Sequence, residues 1–429
     1  MLASSISPHA ILCRPTIYLS AHVLTATVAV LLIASTALGQ VDSSKTPTTS
    51  TVGGTDTVQM NTDAIYARPF IQRSTGTLAV GGYVEANVQR ASSMGSSDGV
   101  HFQARRFTMF MAGTPSPKVR FLAELEFENG TEEINLEFAS VDFIVSRMLT
   151  IRGGIVMIPI GGFNQNHDGP RWNFIDRPTS ATALLPATWS AVGMGILGKA
   201  RIPIGTLSYE VYGTNGLDES IASNDARRTS LAAAKANPFR FAQSTNGHVM
   251  ISGRTAISAG GFGELGCSYA GGIYTESHTG AASIGPSLWH HCAAVDYSVG
   301  SFSKSWYVKG EAAFVSVDVP PASEPTYASG QVGGYADVNY ALWRGSLLGF
   351  EQGALFVGMR GEYNDFHLAG SSSIGANGDE LYAATLALAY HPMSGSILRF
   401  NYRKQWQTDV LGNDAVTTST VQLGVTTYF

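Results

Sequence analysis

Residues 149–198, LTIRGGIVMIPIGGFNQNHDGPRWNFIDRPTSATALLPATWSAVGMGILG, contain the two features from which the fold can be predicted. The first is a short strand in which apolar and polar residues alternate until Pro159. The second is an irregular connection, residues 161–188, after which the alternation resumes. Loops of this length inside regular β-structure are usually functional. Four charged residues of this loop are candidates for a functional site: Asp168, Arg171, Asp176 and Arg177.

The same alternation recurs from Leu78 to the C-terminus. In residues 118–128, for example, apolar residues occupy every second position and Lys, Arg or Glu occupy most of the others. A period of two over about ten residues indicates β-strands with one apolar face. Further segments with this pattern are 78–89, 249–257, 306–314, 332–342, 355–363, 382–390 and 398–402.

Strand and loop lengths favour a transmembrane barrel over a soluble sandwich, in which the apolar faces would pack on each other. The strands are close to the nine to eleven residues, roughly, that a tilted spanning strand needs. Long and short breaks also alternate, as they do in outer-membrane barrels. Long breaks lie near residue 98 and at 161–188, 215–247, 276–287, 320–330, 365–378 and 408–414, and short ones at 114–117, 146–147, 201–205, 259–260, 300–304 and 393–395. The predicted fold is therefore all-β, a transmembrane antiparallel β-barrel of about 16 strands.

Two segments do not fit a regular alternation. Arg105 and Arg106 are adjacent, so one of them would face lipid in a regular strand, and only Arg106 is assigned to the lumen. In residues 134–145, Phe138 is out of phase with Phe143, which predicts a β-bulge.

The N-terminus predicts export. Residues 1–39 combine one strong charge, Arg14, with an apolar stretch and small residues at 37–39, which is typical of a secretory signal peptide. A membrane anchor helix is the competing interpretation. Residues 40–76 are rich in Thr and Ser without a period and are expected to form a flexible periplasmic lead-in. The barrel is expected to occupy residues 77–429.

Composition excludes several classes of protein. The chain has 429 residues, of which 14% are charged, and no run of about eighteen apolar residues follows the N-terminus, which excludes a helical membrane bundle. The net charge of -5 and the lack of a basic tract argue against nucleic acid as a partner.

A hydrolase would have to use Ser287, His290, His291 and Asp296, and no nucleophile elbow or metal-type histidine spacing accompanies them. We therefore predict no enzyme activity, cofactor or metal.

The last strand ends in a C-terminal phenylalanine, Phe429, with Val421, Leu423 and Val425 on the same face. This arrangement resembles the signal that the outer-membrane insertion machinery recognises, so that machinery and outer-membrane lipid are expected partners.

Several motifs together resemble the phosphate-selective porin O and P family of outer-membrane porins. The resemblance extends from residue 78 to residue 429 and implies a sixteen-stranded diffusion channel, a homotrimer, and a loop after the fifth strand that folds into the pore. The motifs are ARRF (104–107), ASVD (139–142), IRGGIVMIPIG (151–161), Arg177-Pro178, the spacing of Pro186, Trp189 and Gly193, and YEVYGTNG (209–216).

The predicted lumen departs from that family because it mixes positive and negative side chains, which favours weak selectivity over a phosphate channel. The candidate pore-lining residues are Glu85, Arg106, Arg120, Glu124, Glu126, Arg152, Arg254, Arg360, Arg399 and Arg403, and the same face also carries Lys118, Glu210, Lys309, Glu311, Asp337 and Glu362.

The sequence thus predicts a porin of the bacterial outer membrane that passes small hydrophilic solutes and ions, with the loop 161–188 folded inward as the pore constriction. Asp168, Arg171, Asp176 and Arg177 would set the field there. An anion preference is one option. The alternatives are a plugged barrel that acts as an adhesin or binding protein and, less favoured, an outer-membrane hydrolase.

Overall fold

Sixteen long antiparallel strands make up most of the computed structural model. It describes residues 61–429 without 74–76, 225–227, 238–239, 243, 245, 277, 280–281, 284–285, 321–326, 369–378 and 410–412. The strands are β1 Leu78–Ser93, β2 His101–Ser116, β3 Val119–Glu128, β4 Glu133–Ser146, β5 Leu149–Met157, β6 Ser190–Ile202, β7 Gly205–Asn215, β8 Val249–Ala259, β9 Gly263–Thr275, β10 Leu288–Gly300, β11 Trp306–Val317, β12 Gly330–Leu347, β13 Phe350–Asp365, β14 Glu380–Met393, β15 Ser396–Gln407 and β16 Val416–Tyr428. Two-residue strands occur at Ser96–Ser97, His278–Thr279 and Ala282–Ser283.

The sheet closes on itself. Each strand pairs with the next along the chain, and β16 pairs with β1, from Tyr428 opposite Tyr83 to Thr418 opposite Ser93. A closed sheet leaves no unpaired edge, which is the condition for a sheet to cross a bilayer. The prediction of an antiparallel barrel of about sixteen strands is confirmed.

The two faces of the barrel wall follow the sequence alternation. Outward residues such as Leu386, Leu423 and Val425 are apolar and exposed by 56%, 54% and 49%. Their neighbours Thr385 and Gln422 point inward and are buried. The outer surface is therefore apolar, while the inner surface is largely polar and covered.

Connections at the two ends of the barrel differ in length, as predicted. One end, the short-turn end, has turns at 117–118, 147–148, 203–204, 260–262, 301–305, 348–349 and 394–395. The other, the long-connection end, has connections at 94–100, 129–132, 158–189, 216–248, 276–287, 318–329, 366–379 and 408–415. Because β1 leads into the long connection 94–100, it starts at the opposite, short-turn end, where β16 also finishes.

Bulges change the phase of the strands, and two of them affect residues that the sequence singled out. The pairing of β1 with β2 shifts between Glu85 and Asn87, so that Arg105 and Arg106 both reach the inside. The assignment of Arg106 alone to the lumen was therefore wrong, because a bulge lets adjacent residues share a face. The bulge predicted in 134–145 is present. In the strand ladder Leu125 lies opposite Leu136 and Glu124 opposite Phe138, so Glu137 has no residue opposite it.

Short helices lie in the connections and before β1. They are α1 Pro69–Arg73 and α2 Leu231–Lys235, the 3-10 helices Asn61–Tyr66, Asn164–Asn166, Gly169–Arg171 and Glu219–Ile221, and the π-helix Ser180–Leu184. Among the residues that the structure describes, no helix has the length and apolar character needed to cross a membrane.

Residues 61–73, called the N-terminal segment below, differ from the flexible lead-in that their composition predicts. They form two short helices, and Ile65 in the first helix and Arg68 between the two are completely or almost completely buried. The apolar residues in AIYARPFI, 64–71, pack on the barrel and outweigh the polar composition of the residues around them. The proposed signal peptide and residues 40–60 lie outside the described part of the chain.

Candidate functional site

The connection between β5 and β6, residues 158–189, crosses the lumen and is called the crossing loop below. Its two ends are joined at the wall, where Ile158 N donates to Trp189 O at 2.9 Å. The Asn164 side chain also links the two ends of the loop. Its Nδ2 donates to the carbonyls of Ile158 (2.8 Å) and Trp189 (2.9 Å), and its Oδ1 accepts from Trp189 N (2.8 Å). Pro159 ends the strand because it has no N–H to donate to a ladder.

The first limb of the crossing loop is attached to β9 and β11. Gly161 N donates to Ser268 Oγ at 2.8 Å, and the main-chain N–H groups of Gly162 and Phe163 donate to the Glu311 carboxylate at 2.8 and 3.0 Å. Gly161 has φ of +64°, and a Cβ there would lie 2.2 Å from Glu311 Oε2. Only glycine allows the backbone to approach this carboxylate so closely.

The middle of the crossing loop holds a buried cluster of charges. Asp168 accepts two hydrogen bonds from the Arg68 guanidinium, at 2.8 and 2.9 Å, and one from Tyr428 Oη at 2.6 Å. Arg68 also reaches Glu124 on β3 at 3.4 Å. Burial alone would raise the pKa of the Asp168 carboxyl, but Arg68 and Arg171 outweigh it and hold that pKa well below its usual range. Asp168 is therefore an anion that the N-terminal segment neutralises.

His167 joins the same cluster through both ring nitrogens. Its Nδ1 lies 2.8 Å from the carbonyl oxygen of Asn164, which can only accept, and its Nε2 lies 3.1 Å from Glu124 Oε1. Burial lowers the pKa of His167, whereas the carboxylates of Glu124 and Asp168 raise it by more, so the net shift is upward. This geometry suits an imidazolium that donates from both nitrogens.

Residues 173–176 of the crossing loop reach the opposite wall of the barrel. Asn173 Nδ2 donates to Tyr307 Oη and to Asn339 Oδ1, both at 2.8 Å. Ile175 N donates to Asn401 Oδ1 at 2.6 Å, and Arg360 Nη1 donates to the carbonyl of Asp176 at 2.7 Å. The crossing loop thus contacts the wall on both sides of the lumen.

Charges of the crossing loop pair with the wall and with the N-terminal segment more than with each other. Asp176 accepts from Arg105 at 2.8 Å, and this pairing, with Arg403 nearby, lowers the pKa of Asp176 although burial would raise it. Arg177 lies 3.6 Å from Glu126 on β3. Arg171 lies 3.6 Å from Asp168 and donates to the carbonyls of Ala64 (2.7 Å) and Ala67 (3.1 Å). Of the four predicted loop residues, only Arg171 and Asp168 face each other.

All ten predicted pore-lining residues point into the barrel, and each of them forms an ion pair. Arg106 pairs with Glu85, Glu126 and Glu128, Arg120 and Arg152 with Asp142, Arg254 with Glu264 and Asp296, Arg360 with Asp337, Arg399 with Glu85, and Arg403 with Glu362. Glu124 pairs with Arg68 and His167. Positive and negative groups therefore largely cancel along the inner wall.

Lys309 on β11 is an exception to this pairing. Its ammonium group lies 4.3 Å from the centre of the Trp172 ring and 5.8 Å from that of Tyr307. It forms no ion pair with any residue that the structure describes. Lys309 is therefore a positive charge beside the crossing loop that no carboxylate compensates directly.

The long-connection end of the lumen contains a large apolar cluster. Leu184, Leu185 and Trp189 of the crossing loop pack there against Ile221 and Leu231 from the connection after β7. The wall contributes small and apolar inward residues: Ala270, Cys292, Ala294, Ala313, Val315, Val317, Leu381 and Ala383. The described part of the connection after β7 therefore lies partly inside the barrel.

Glu124, His167 and Asp168 place one possible ligand atom each within 4.8 Å of one another. Arg68 already donates to both carboxylates of this group, so its guanidinium supplies the positive charge that the two acids require. The residues present fit an arginine better than a metal ion.

The four hydrolase candidates do not form a nucleophile and base pair in the described structure. His290 is buried inside the barrel with neither ring nitrogen hydrogen-bonded. His291 contacts the Tyr269 hydroxyl at 2.7 Å on the other face, and Asp296 is held by Arg254. The Ser287 hydroxyl donates to Glu276. Adjacent strand residues point to opposite faces, which separates the two histidines.

Sequence reasoning missed three residues of this site. Arg105 was missed because a bulge reverses its face, and His167 because it is a single histidine in an irregular loop. Arg68 lies about a hundred residues from its partner Asp168 in a segment with a disordered-like composition. The apolar run 64–71 is the signal that could have identified it.

No protein-family model matches the chain. An uncharacterized protein of Aquifex aeolicus (strain VF5) is 32% identical over 120 residues, and this match spans 26% of the chain and 27% of that relative. A match over about a quarter of each protein does not assign a family. The resemblance to the phosphate-selective porin O and P family therefore stays a prediction.

Solved structures of outer-membrane porins share the fold at low sequence identity. The Salmonella typhi OmpF complex with daunomycin has a TM-score of 0.50 and 11% identity over 82% of this chain and 98% of that chain. The anion-selective porin from Comamonas acidovorans has a TM-score of 0.49 at 11% identity over 82% of this chain and 99% of that chain. The outer membrane channel DcaP of Acinetobacter baumannii has a TM-score of 0.48 at 11% identity over 83% and 99%. At these identities the likeness concerns the fold alone.

Proposed function

We propose that this chain is a channel of the bacterial outer membrane through which small hydrophilic solutes and ions pass passively. The observation that carries the proposal is a closed barrel with an apolar outer face and a charged, hydrogen-bonding inner face, crossed by one long loop. An apolar exterior suits lipid, whereas a wall of charges has a use only where water or solute reaches it. The short-turn end is then periplasmic.

The crossing loop is the proposed constriction. It contacts both sides of the lumen, and its charges Asp168, Asp176 and Arg177 are fixed by partners on the wall or on the N-terminal segment. Fixed, mutually cancelling charges give a narrow passage little preference for either sign of ion. Lys309 adds one uncompensated positive charge next to the loop, so we propose a weak preference for anions.

A second candidate function is a plugged barrel that binds a ligand or a surface. It is supported by how completely the crossing loop and the N-terminal segment cover inner-wall charges such as Glu124 and Arg399. A barrel whose lumen stays filled would pass nothing. The resemblance to the porin family further suggests a homotrimer, which analytical ultracentrifugation in detergent would test.

Solute flux into proteoliposomes separates the two candidates. Liposomes that contain the refolded full chain should swell in isosmotic arabinose faster than protein-free liposomes, and more slowly in larger sugars. The variant Arg399→Met, in which a main attachment of the crossing loop is lost, should swell faster still. Swelling at the protein-free rate for both proteins would contradict the channel and favour the plugged barrel.

A further inference from the structure

The N-terminal segment crosses the lumen on the short-turn side of the crossing loop and contacts the wall at several separate strands. At one end, Asn61 N donates to the Glu264 carboxylate on β9, at 3.0 and 3.2 Å. Asp63 pairs with Lys199 on β6, and Tyr66 Oη donates to Asp142 on β4 at 3.3 Å. The segment therefore follows the lumen from β9 towards β4.

Its other end reaches β1 and β2. The Phe70 ring stacks on Phe110 of β2 with ring centres 5.5 Å apart, and it lies 6.5 Å from the Tyr428 ring on β16. The segment thus spans the inner wall from β9 to β16, at the end where the short turns lie. A solute path through that half of the barrel would have to pass it.

Arg68 is the strongest single attachment of the segment. Its side chain has no exposed surface, and it donates to Asp168 on the crossing loop and to Glu124 on β3. It also lies 3.9 Å from the centre of the Phe110 ring. One side chain therefore ties the N-terminal segment to the crossing loop and to the wall at once.

The barrel itself does not need this segment for closure. β1 begins at Leu78, and the ladder between β1 and β16 starts at Tyr83, so no strand pairing involves residues 61–73. The attachments of the segment are hydrogen bonds, ion pairs and apolar side-chain contacts. The segment can therefore leave its place without breaking a backbone bond of the barrel.

From these contacts we infer that residues 61–73 are a removable plug, and that the contact of Arg68 with Asp168 and Glu124 holds the plug in the closed position. The inference rests on the proposed channel function. When the plug is docked it narrows the periplasmic half of the passage, and when it leaves, the crossing loop remains in the lumen as a constriction. Asp168 and Glu124 then lose their guanidinium partner.

A reversible tether tests the plug in the full chain. Asn61 and Asn166 touch through their side chains, so cysteines at these two positions can be joined by oxidation or by a short bifunctional thiol reagent. The background carries Cys13→Ser, Cys267→Ser and Cys292→Ser, because the chain has three native cysteines and the two that the structure describes are free. Single-channel conductance in planar bilayers is recorded before and after dithiothreitol.

If the plug blocks the passage, the tethered protein should conduct rarely, and reduction of the tether should restore the wild-type conductance. Arg68→Ala should raise the open probability at least about tenfold, because a buried ion pair loses one partner. The matched control is Arg90→Ala, an exposed arginine on β1 whose guanidinium donates to Ser97. Equal conductance of the tethered, reduced and Arg68→Ala proteins would overturn the plug and leave the channel intact. If neither the reduced protein nor Arg68→Ala conducts, the channel function itself fails, and the plug fails with it.

Discussion

Arg399 on β15 connects the wall to the crossing loop. Its Nη2 donates to Glu85 on β1 at 2.6 Å, across the intervening strand β16. Its Nη1 donates to the carbonyls of Gly169, Trp172 and Phe174 at 3.3, 3.1 and 3.0 Å. One guanidinium group thus neutralises a buried carboxylate and holds three carbonyls of the loop.

Replacing Arg399 by methionine should release this part of the crossing loop. The change keeps a long unbranched side chain but removes the guanidinium, which leaves Glu85 with Arg106 as its remaining partner. Removing one member of a buried pair costs about 3–5 kcal/mol. We expect faster tryptic cleavage after Arg171, since cleavage after Arg177 is blocked by Pro178. Arg90→Met is the control. An unchanged cleavage rate in a folded barrel would show that Arg399 does not hold the loop.

His167 should make attachment of the crossing loop depend on pH. Its pKa in the folded protein lies above the ordinary value of 6.5, because Glu124 and Asp168 favour the protonated ring more than burial opposes it. A raised pKa means that the stabilisation is complete below pH 6.5 and is lost as the pH rises through the raised pKa. Tryptic cleavage after Arg171, corrected with a reference peptide, should therefore accelerate as the pH rises above 6.5.

The variant His167→Gln is the control for this pH dependence. It keeps a hydrogen-bond donor but no titrating ring, so its cleavage rate should be high and nearly independent of pH over the same range. A wild-type profile that is equally flat would contradict the role of His167.

Lys309 should set the small preference among ions. The change Lys309→Gln removes an inner positive charge that forms no ion pair with any residue that the structure describes, so the ratio of anion to cation permeability should fall towards one. Arg106→Gln is a useful comparison, because it breaks existing pairs and leaves carboxylates uncompensated, which should favour cations. Reversal potentials in a potassium chloride gradient measure both effects. A reversal potential of Lys309→Gln equal to that of the wild type would show that Lys309 does not set the ion preference.

Phe429 directly follows β16. Its ring is exposed and stacked on Phe107 with ring centres 5.7 Å apart, and its main chain exchanges hydrogen bonds with Gly82. The change Phe429→Ala should reduce the amount of protein assembled in the outer membrane of cells several-fold, while refolding in detergent remains efficient. Val425→Ala, on the same outward face, is the control. Equal assembly of the two variants would contradict a role for the terminal ring in insertion.

The barrel could be predicted because its wall follows a simple local rule. Each strand has a period of two, so the face of Glu124 or Arg360 follows from its sequence neighbours alone. The crossing loop could be located after the fifth strand for the same reason. Glu85 and Arg399 were both assigned to the lumen, but not to each other.

The interior could not be predicted because its contacts join distant parts of the chain. Arg68 meets Asp168, Asn61 meets Glu264, and Arg399 meets Glu85, and no local pattern encodes those pairs. Arg105 shows a second limit. One extra residue in a bulge reverses the face of a side chain, and the alternation around it does not reveal on which side the change occurs.

Single-channel recording from the refolded full chain and from Arg68→Ala in planar bilayers, with the reversal potential taken across a salt gradient, tests the central claim most directly. The account predicts discrete open steps for both proteins, more frequent for Arg68→Ala, and a reversal potential that indicates only a weak preference for anions. The absence of steps from both correctly folded proteins would contradict it.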